Sequence, residues 1–339
     1  HGPDFQNLHR NKRSLTLDLK SPEGHDIFMK LAAQADVIVE NYRPDVKRRL
    51  KIAYEDVRAV NKGIVYASIS GFGQTGPYAN RPGLDQIAQG LGGHMSVTGK
   101  PGEGPVRSGA AISDMTAGFL MAGGIMAALL ERHKSGEGQW LHTSLLQAQI
   151  FLLDFQAARW TVDGEVAPQE GNNHPTNVPM GTFKTEDGYV NIAPMASMWP
   201  KFCAVMGLED MEQDENFATA GARFNNRRDV DQRIENVTVT QPTGHWVDTL
   251  NAAGIPCGPI YHMDEVFGDE QVKHLEVAQT VNSPGRGETS ILAQPVILER
   301  TPSHLAVGSP ELGQHVMEIL EELGYSADQI DQLQEKGVV

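Results

Sequence analysis

Apolar residues recur at two periods along the chain, and the switches between them outline a fold. Residues 14–19, Ser-Leu-Thr-Leu-Asp-Leu, alternate in the manner of a strand. Pro22, suited to a first helical turn, opens a stretch over 25–33 with apolar residues spaced for one helix face. Val37-Ile38-Val39 predicts a short buried strand ended by Asn41-Tyr42-Arg43-Pro44, a helix follows over 45–61, and the β-branched run 64–70 is a further strand. After the loop 71–83, helical spacing resumes at Asp85. Past the Gly/Pro-rich stretch 99–109, a long apolar helix runs over 114–134. Gly136-Glu137-Gly138 ends it, residues 140–143 predict a strand and 145–160 a helix. Strands alternating with helices in this way are the signature of a parallel α/β sheet.

Residues 161–181, rich in Pro, Asn and Gly, predict a linker. Beyond it come a strand over 188–193 and helices over 200–207, 229–235 and 243–253, together a smaller α+β domain. The tail carries a strand over 294–298 and helices over 312–323 and 327–336. The expected organisation is a large α/β domain over 1–160, the linker 161–181, a small domain over 182–275, and a return to the large domain over 276–339. At 339 residues the chain has length for about two such domains.

Charge narrows the choice of partner. Lys+Arg number 28 against 43 Asp+Glu, a net charge of -15 that disfavours nucleic acid and anionic lipid. The longest apolar run, 119–130, is short of the ~20 residues a bilayer requires, and no signal peptide is read, so no membrane is expected. The two cysteines, Cys203 and Cys257, stand in unrelated contexts and fit a reducing cytoplasm. Against the overall sign, Lys12, Arg13 and Lys20 flank the first strand, and Arg43, Lys47, Arg48 and Arg49 follow the second. Such runs are commonly a solvated face, but at strand ends a polyanion such as the phosphates of CoA is a reasonable occupant.

Several motifs bear on chemistry. Gly71-Phe72-Gly73-Gln74-Thr75-Gly76 spells a dinucleotide fingerprint after a strand, yet Pro77, Pro82 and Gly83 prevent a helix from starting where a pyrophosphate would need its amides. A glycine-rich active-site loop is the better reading, with Gly71 and Gly73 as candidate binding residues. Histidines number 12 but show no H-x-H or H-E-x-x-H spacing, so no metal is expected. No Walker-type lysine and no G-x-S-x-G occur, and nothing basic adjoins Cys257. Asp114 opens the most apolar helix, where a carboxylate is a favoured N-cap. The same amides and dipole would also hold a nucleophilic carboxylate ionised and aimed. Glycines 118, 123 and 124 weaken that helix, a cost tolerated when a backbone or ligand must pack very close.

Taken in order, Asn11-Lys12-Arg13-Ser14-Leu15-Thr16-Leu17-Asp18-Leu19-Lys20, Glu40-Asn41-Tyr42-Arg43-Pro44, Ser70-Gly71-Phe72-Gly73, Gly83-Leu84-Asp85 with Gln89, Asp114, and Gly136-Glu137-Gly138-Gln139 resemble the class III CoA-transferase family, CaiB/BaiF. The resemblance continues through Gly188-Tyr189, Gly254-Ile255-Pro256 and Leu323-Gly324-Tyr325 and so covers the whole chain. It implies a doubly wound large domain built from both chain ends, a small inserted domain, and an interlocked homodimer. It also implies that no cofactor is permanently bound, with coenzyme A and acyl-CoA as substrates. The family's catalytic aspartate falls on Asp114, an acidic residue near the reaction centre on Asp85, and CoA contacts on Leu17, Lys20, Asn41, Tyr42, Val46 and Arg49.

Three departures refine the expectation. Family members begin with a further strand–helix–strand segment that supplies CoA contacts, and this sequence starts after it, so either it is a fragment or its CoA site is incomplete. The glycine-rich loop of formyl-CoA:oxalate transferases is replaced by Gly171-Asn172-Asn173-His174-Pro175, so oxalate is not supported as acceptor. Leu84 stands where the related racemases place a histidine, which disfavours two-base racemisation. The expected function is movement of CoA between small carboxylates through an aspartyl-CoA thioester. The alternatives are a racemase or isomerase of the same fold, and a non-catalytic CoA-binding relative.

Overall fold

The computed structural model describes residues 2–339 and divides into two compact units. The first holds the residues up to Gly92, Ala110–Leu152 and Phe267–Val339; the second holds Gly93–Gly109 and Leu153–Val266.

The first unit is organised by a parallel sheet of β1 (Val37–Glu40), β2 (Val65–Ser70) and β3 (Trp140–Ser144), in that order. The central strand is buried along nearly its whole length, as a strand covered on both faces must be. Gly138 lets β3 enter, since a Cβ there would sit 2.0 Å from the carbonyl oxygen of Ile64. Three helices, Asp85–Leu91, Ile112–Ser135 and Leu145–Leu152, meet through Leu145 and the alanines Ala88, Ala117 and Ala148, whose small side chains let helix axes approach closely. The chain ends meet in a second cluster, where Ile27 packs with Val316, Leu320, Ile330 and Leu333.

Several elements differ from the pattern reading. Residues 14–19 form no strand: Leu15 and Leu17 pack against the C-terminal cluster, and Asp18 N–H donates to the Val338 carbonyl at 2.8 Å. Their alternation serves contact with helices instead of a ladder. The helix expected over 45–61 is two, Pro44–Arg49 and Tyr54–Arg58, separated at Lys51 (φ 55). That expected over 145–160 breaks at Asp154 (φ 45). No strand forms over 294–298; the tail instead holds an antiparallel hairpin, β7 (Ala278–Ser283) with β8 (Gly287–Leu292), turning at Pro284-Gly285-Arg286. Residues 119–130 alone fall short of a bilayer. The 24-residue helix that contains them, Ile112–Ser135, is by length and composition apolar enough to cross one.

The second unit packs helices Trp199–Met206, Arg227–Thr238 and Thr243–Ala252 around an antiparallel sheet of β4 (Gly181–Lys184), β5 (Tyr189–Ile192) and β6 (Cys257–Pro259). Residues 99–104 are tied to it through Gln169, whose Nε2 donates to the carbonyls of Thr98 (2.7 Å) and Gly104 (2.8 Å). At its centre Arg223 is fully buried without a carboxylate. It donates to the carbonyls of Val178 (2.9 Å), Phe217 (2.9 Å) and Ala218 (3.2 Å) and lies over the Trp199 ring. Removing it strands the buried carbonyls of Val178 and Phe217 and takes a donor from that of Ala218. Arg223→Met is expected to cost about 3–5 kcal/mol, read as a fall in melting temperature on the order of 10 °C.

Asp231 is a pH-sensitive group of this unit. Burial pushes its carboxyl up from 3.8 to about 6, against the opposing pull of Arg227 and the Asn173 side chain. A raised pKa means full stability below the unfolded value and a loss as pH climbs through about 6. Asp231→Asn is therefore expected to raise the melting temperature at pH 8, by the equivalent of up to about 3 kcal/mol, and to change little at pH 4. Thermal melts across that range check the crossing.

Candidate active site

The carboxyl ends of parallel strands are where open α/β sheets bind ligands, and a cavity of about 340 Å³ lies there. Ser70 at the end of β2, Asn41 just past β1, Leu145 just past β3, Gly71, Gly83 and Leu84 line it together with Asp114. Of the candidate site residues named in the sequence, Asn41, Gly71 and Asp114 share this cavity, and Leu84, which stands at the racemase histidine position, lines it as well.

Asp114 is the third residue of the Ile112–Ser135 helix, with Ala111 at the N-cap. It is therefore not the cap that its residue type predicts. The capping is done from outside: Asp85 Oδ1 accepts from the first-turn amide of Ser113 at 2.8 Å, while Oδ2 accepts from Gln89 Nε2 at 2.6 Å. Ser113, wholly buried, donates its hydroxyl to Gln149 Oε1 at 2.7 Å. Four side chains thus lock the turn that carries Asp114. Its own carboxyl stands largely open to solvent, yet partial desolvation, and then the charge of Asp85, raise its pKa above the ordinary 3.8. A more basic carboxylate is a better nucleophile once ionised.

The glycine loop starts no helix before Asp85, and Gly73 (φ 102) and Gly76 (φ 91) take left-handed conformations, so no dinucleotide cradle forms. Its base is pinched: a Cβ on Gly71 would meet Gly83 Cα at 2.7 Å. Gln74, buried, holds the loop to the strand end by donating Nε2 to Ser70 Oγ at 3.1 Å.

The other expected residues lie off the cavity wall. Leu17 packs in the C-terminal cluster, and Lys20 is exposed. Tyr42 N–H donates to Glu40, Val46 is half-buried in the Pro44–Arg49 helix, and Arg49 reaches into solvent beside Asp45. Lys47 does not belong to the basic face it was grouped with. Its side chain is buried and paired with Glu40 at 2.7 Å, which leaves Arg43, Arg48 and Arg49 outside. Ser113 and Gln149 escaped the sequence reading because single polar residues in apolar runs carry no spacing signal. Among the described residues, no group of three or more His, Cys, Asp or Glu could hold a metal ion.

Fold and cavity define an α/β protein with an aimed, partly desolvated carboxylate at the strand ends. Comparison with known proteins gives that description a family. The model of CoA-transferase family III matches residues 2–316. The succinyl-CoA:glutarate CoA-transferase of Mus musculus is 34% identical over 337 residues, 99% of this chain and 77% of the relative. The succinyl-CoA:mesaconate CoA-transferase of Haloarcula hispanica is 33% identical over 330 residues, 96% of this chain and 83% of its own. A crystal structure of a CaiB/BaiF family protein from Brucella suis superposes with a TM-score of 0.83 at 33% identity, covering 94% of this chain and 83% of the other. The chain belongs to CoA-transferase family III and is an enzyme of CoA transfer, acting on CoA thioesters.

Proposed function

We propose that the enzyme moves CoA between small carboxylic acids through covalent intermediates on Asp114. The observation that carries the reading is the position of Asp114: a carboxylate with a raised pKa, held by a locked helix turn and facing an open cavity at the strand ends. Asp114 attacks the donor thioester carbon, the C–S bond breaks, and CoA leaves as thiolate with a mixed anhydride behind it. The thiolate then attacks the Asp114 carbonyl carbon, releasing the donor carboxylate and leaving an aspartyl-CoA thioester. The acceptor carboxylate displaces CoA from that thioester as a second anhydride, and the thiolate attacks the acceptor's carbonyl carbon. Acyl-CoA departs and Asp114 is regenerated. Backbone amides near the glycine loop would stabilise the oxyanions, a contribution of about 3–4 kcal/mol per donor in known cases. Asp85, with both oxygens engaged, orients the nucleophile's turn and tunes its charge.

A racemase would need a second base across the cavity. Leu84 lines that wall instead, and Asp85 is already committed to Ser113 and Gln89. The names of the relatives make four- and five-carbon dicarboxylates the first acids to try, with succinyl-CoA as donor. The test is to incubate the enzyme with succinyl-CoA and other short acyl-CoAs, quench with hydroxylamine, and map the adduct by peptide mass spectrometry. A hydroxamate on Asp114 supports the mechanism; an unmodified Asp114 in protein that binds CoA overturns it.

We also propose a homodimer of the interlocked kind. Its support is an uncovered apolar face on the nucleophile's helix: Met115, Phe119, Met126 and Leu130 are exposed, as are Ile87 and Phe151 on the flanking helices. A Cβ on Gly118 or Gly123 of the same helix would meet no atom within 4 Å, so both leave room for a close backbone approach.

A further inference from the structure

We propose that the buried Glu40–Lys47 ion pair is a clasp that positions the coenzyme-binding turn before any substrate arrives. The inference rests on the CoA-transfer reading above. Glu40 is the last residue of β1. One oxygen, Oε2, accepts from the Tyr42 amide at 2.7 Å; the other, Oε1, accepts from Lys47 Nζ at 2.7 Å. Lys47 also donates to Ser68 Oγ of β2 at 2.9 Å, and the same oxygen takes a hydrogen bond from Trp140 Nε1 of β3 at 2.9 Å. The ammonium lies 5.2 Å from the Trp140 ring centroid and 5.7 Å from that of Tyr66. One cluster therefore joins all three strands of the sheet to the Pro44–Arg49 helix.

Burial makes this arrangement informative. The two side chains are 4% and 6% exposed. Taking two charges out of water gains little net stability over a well-packed apolar pair, so stability alone gives weak reason for the pair. What it does supply is geometry. Residues 41–46, between the two partners, leave the strand, turn, and enter the helix, and the ion pair closes that excursion into a loop of fixed shape. On this loop sit Asn41, which lines the cavity with Asp114, and Tyr42 and Val46; Arg49 follows within the same helix. Four of the six side chains that the family resemblance assigns to CoA contacts thus hang on one clasp, Asn41 among them on the cavity wall. A turn held in its bound shape loses less entropy on binding, which lowers the cost of capturing a long, flexible coenzyme.

Glu40 and Lys47 are positioning residues, and the signature is a split between KM and kcat. In Glu40→Gln/Lys47→Met no charge is left buried without a partner, so cooperative melting is retained. Its KM for acyl-CoA and its Kd for free CoA are expected to rise about tenfold or more, or ~1.4 kcal/mol, while kcat at saturation falls by a smaller factor and Asp114 still yields its hydroxamate. A folded double variant that binds CoA like wild type, or one that loses kcat with KM intact, overturns the proposal. A second measurement needs no variant. In the unliganded wild type the Tyr42 amide, which donates to Glu40 Oε2, and the Val46 amide, which donates to the Arg43 carbonyl, should exchange far more slowly than open loops, and exchange of both at the rate of open loops would sink the idea. A wild-type enzyme that neither binds CoA nor labels at Asp114 refutes the functional reading itself; normal wild-type chemistry with an unaffected double variant refutes the clasp alone.

Discussion

Asp114→Asn should abolish CoA transfer while leaving the protein folded and at least as stable as wild type. Loss of a covalent nucleophile costs on the order of 10⁴-fold or more in kcat, since positioning and binding cannot replace the bond it forms. The stability half follows from the raised pKa. A carboxyl that is harder to ionise when folded contributes fully below its unfolded value near 3.8 and loses that contribution as pH rises through the folded value. At pH 7–8 the ionised Asp114 is therefore a liability, created by desolvation and by Asp85. An uncharged Asn of the same shape removes it, so the variant should melt at the same or a higher temperature. Transfer assays paired with thermal melts at pH 8 give both readings. Activity within tenfold of wild type would exclude Asp114 as the nucleophile, and an unfolded variant would show that its charge is structural.

This combination of lost function and retained stability reflects how the site is built. Hydrogen bonding that would ordinarily cap the helix is delegated to Asp85, which takes the Ser113 amide and leaves the carboxylate one residue on for chemistry. The sequence pointed to Asp114 and Asp85 but not to this division of labour, because spacing cannot tell a residue that caps its own helix from one whose helix is capped by a side chain 28 positions before the amide it takes.

Local signals carried the core of the first unit. The β-branched run before Ser70 and the long apolar helix form the elements their patterns predict; Val37-Ile38-Val39 forms its strand too but not a buried one, since β1 lies at the sheet edge with Val39 58% exposed. Legibility failed where the partner lies far along the chain. Leu15 and Leu17 alternate like a strand, but the groove that receives them is made by residues 316–338. The β7–β8 hairpin escaped notice because few of its side chains are buried, Val281, Ser283 and Ile291 among them, and no alternation results. Lys47 read as one of a basic run; the helical turn that carries it points this lysine alone toward the sheet, and Glu40 supplies the counter-charge.

The largest effect away from the chemistry is expected on assembly. Phe119 and Leu130 are each 72% exposed on the Ile112–Ser135 helix. So much uncovered apolar surface marks an interaction face, and the helix is by length and composition able to enter a bilayer as well. Two observations favour a second copy of the chain over lipid. Asp114 stands on this helix facing a polar-edged cavity, and the opposite side buries Ser113, Ala117, Met121 and Ala128 in the unit's own core. If this face is the interface of the proposed homodimer, Phe119→Glu/Leu130→Glu places two unpartnered carboxylates in it, so the dimer Kd should rise by about 10⁴-fold or more. Light scattering at micromolar concentration should then find wild type as a dimer and the variant as monomer or unfolded chain, with transfer activity lost alongside. A threaded dimer adds a kinetic mark, because its subunits cannot part without opening a chain. Mixed tagged and untagged wild-type dimers should exchange only as slowly as the protein unfolds. Rapid exchange would replace the interlocked arrangement with simple docking. A monomeric wild type that floats with liposomes would assign the face to lipid.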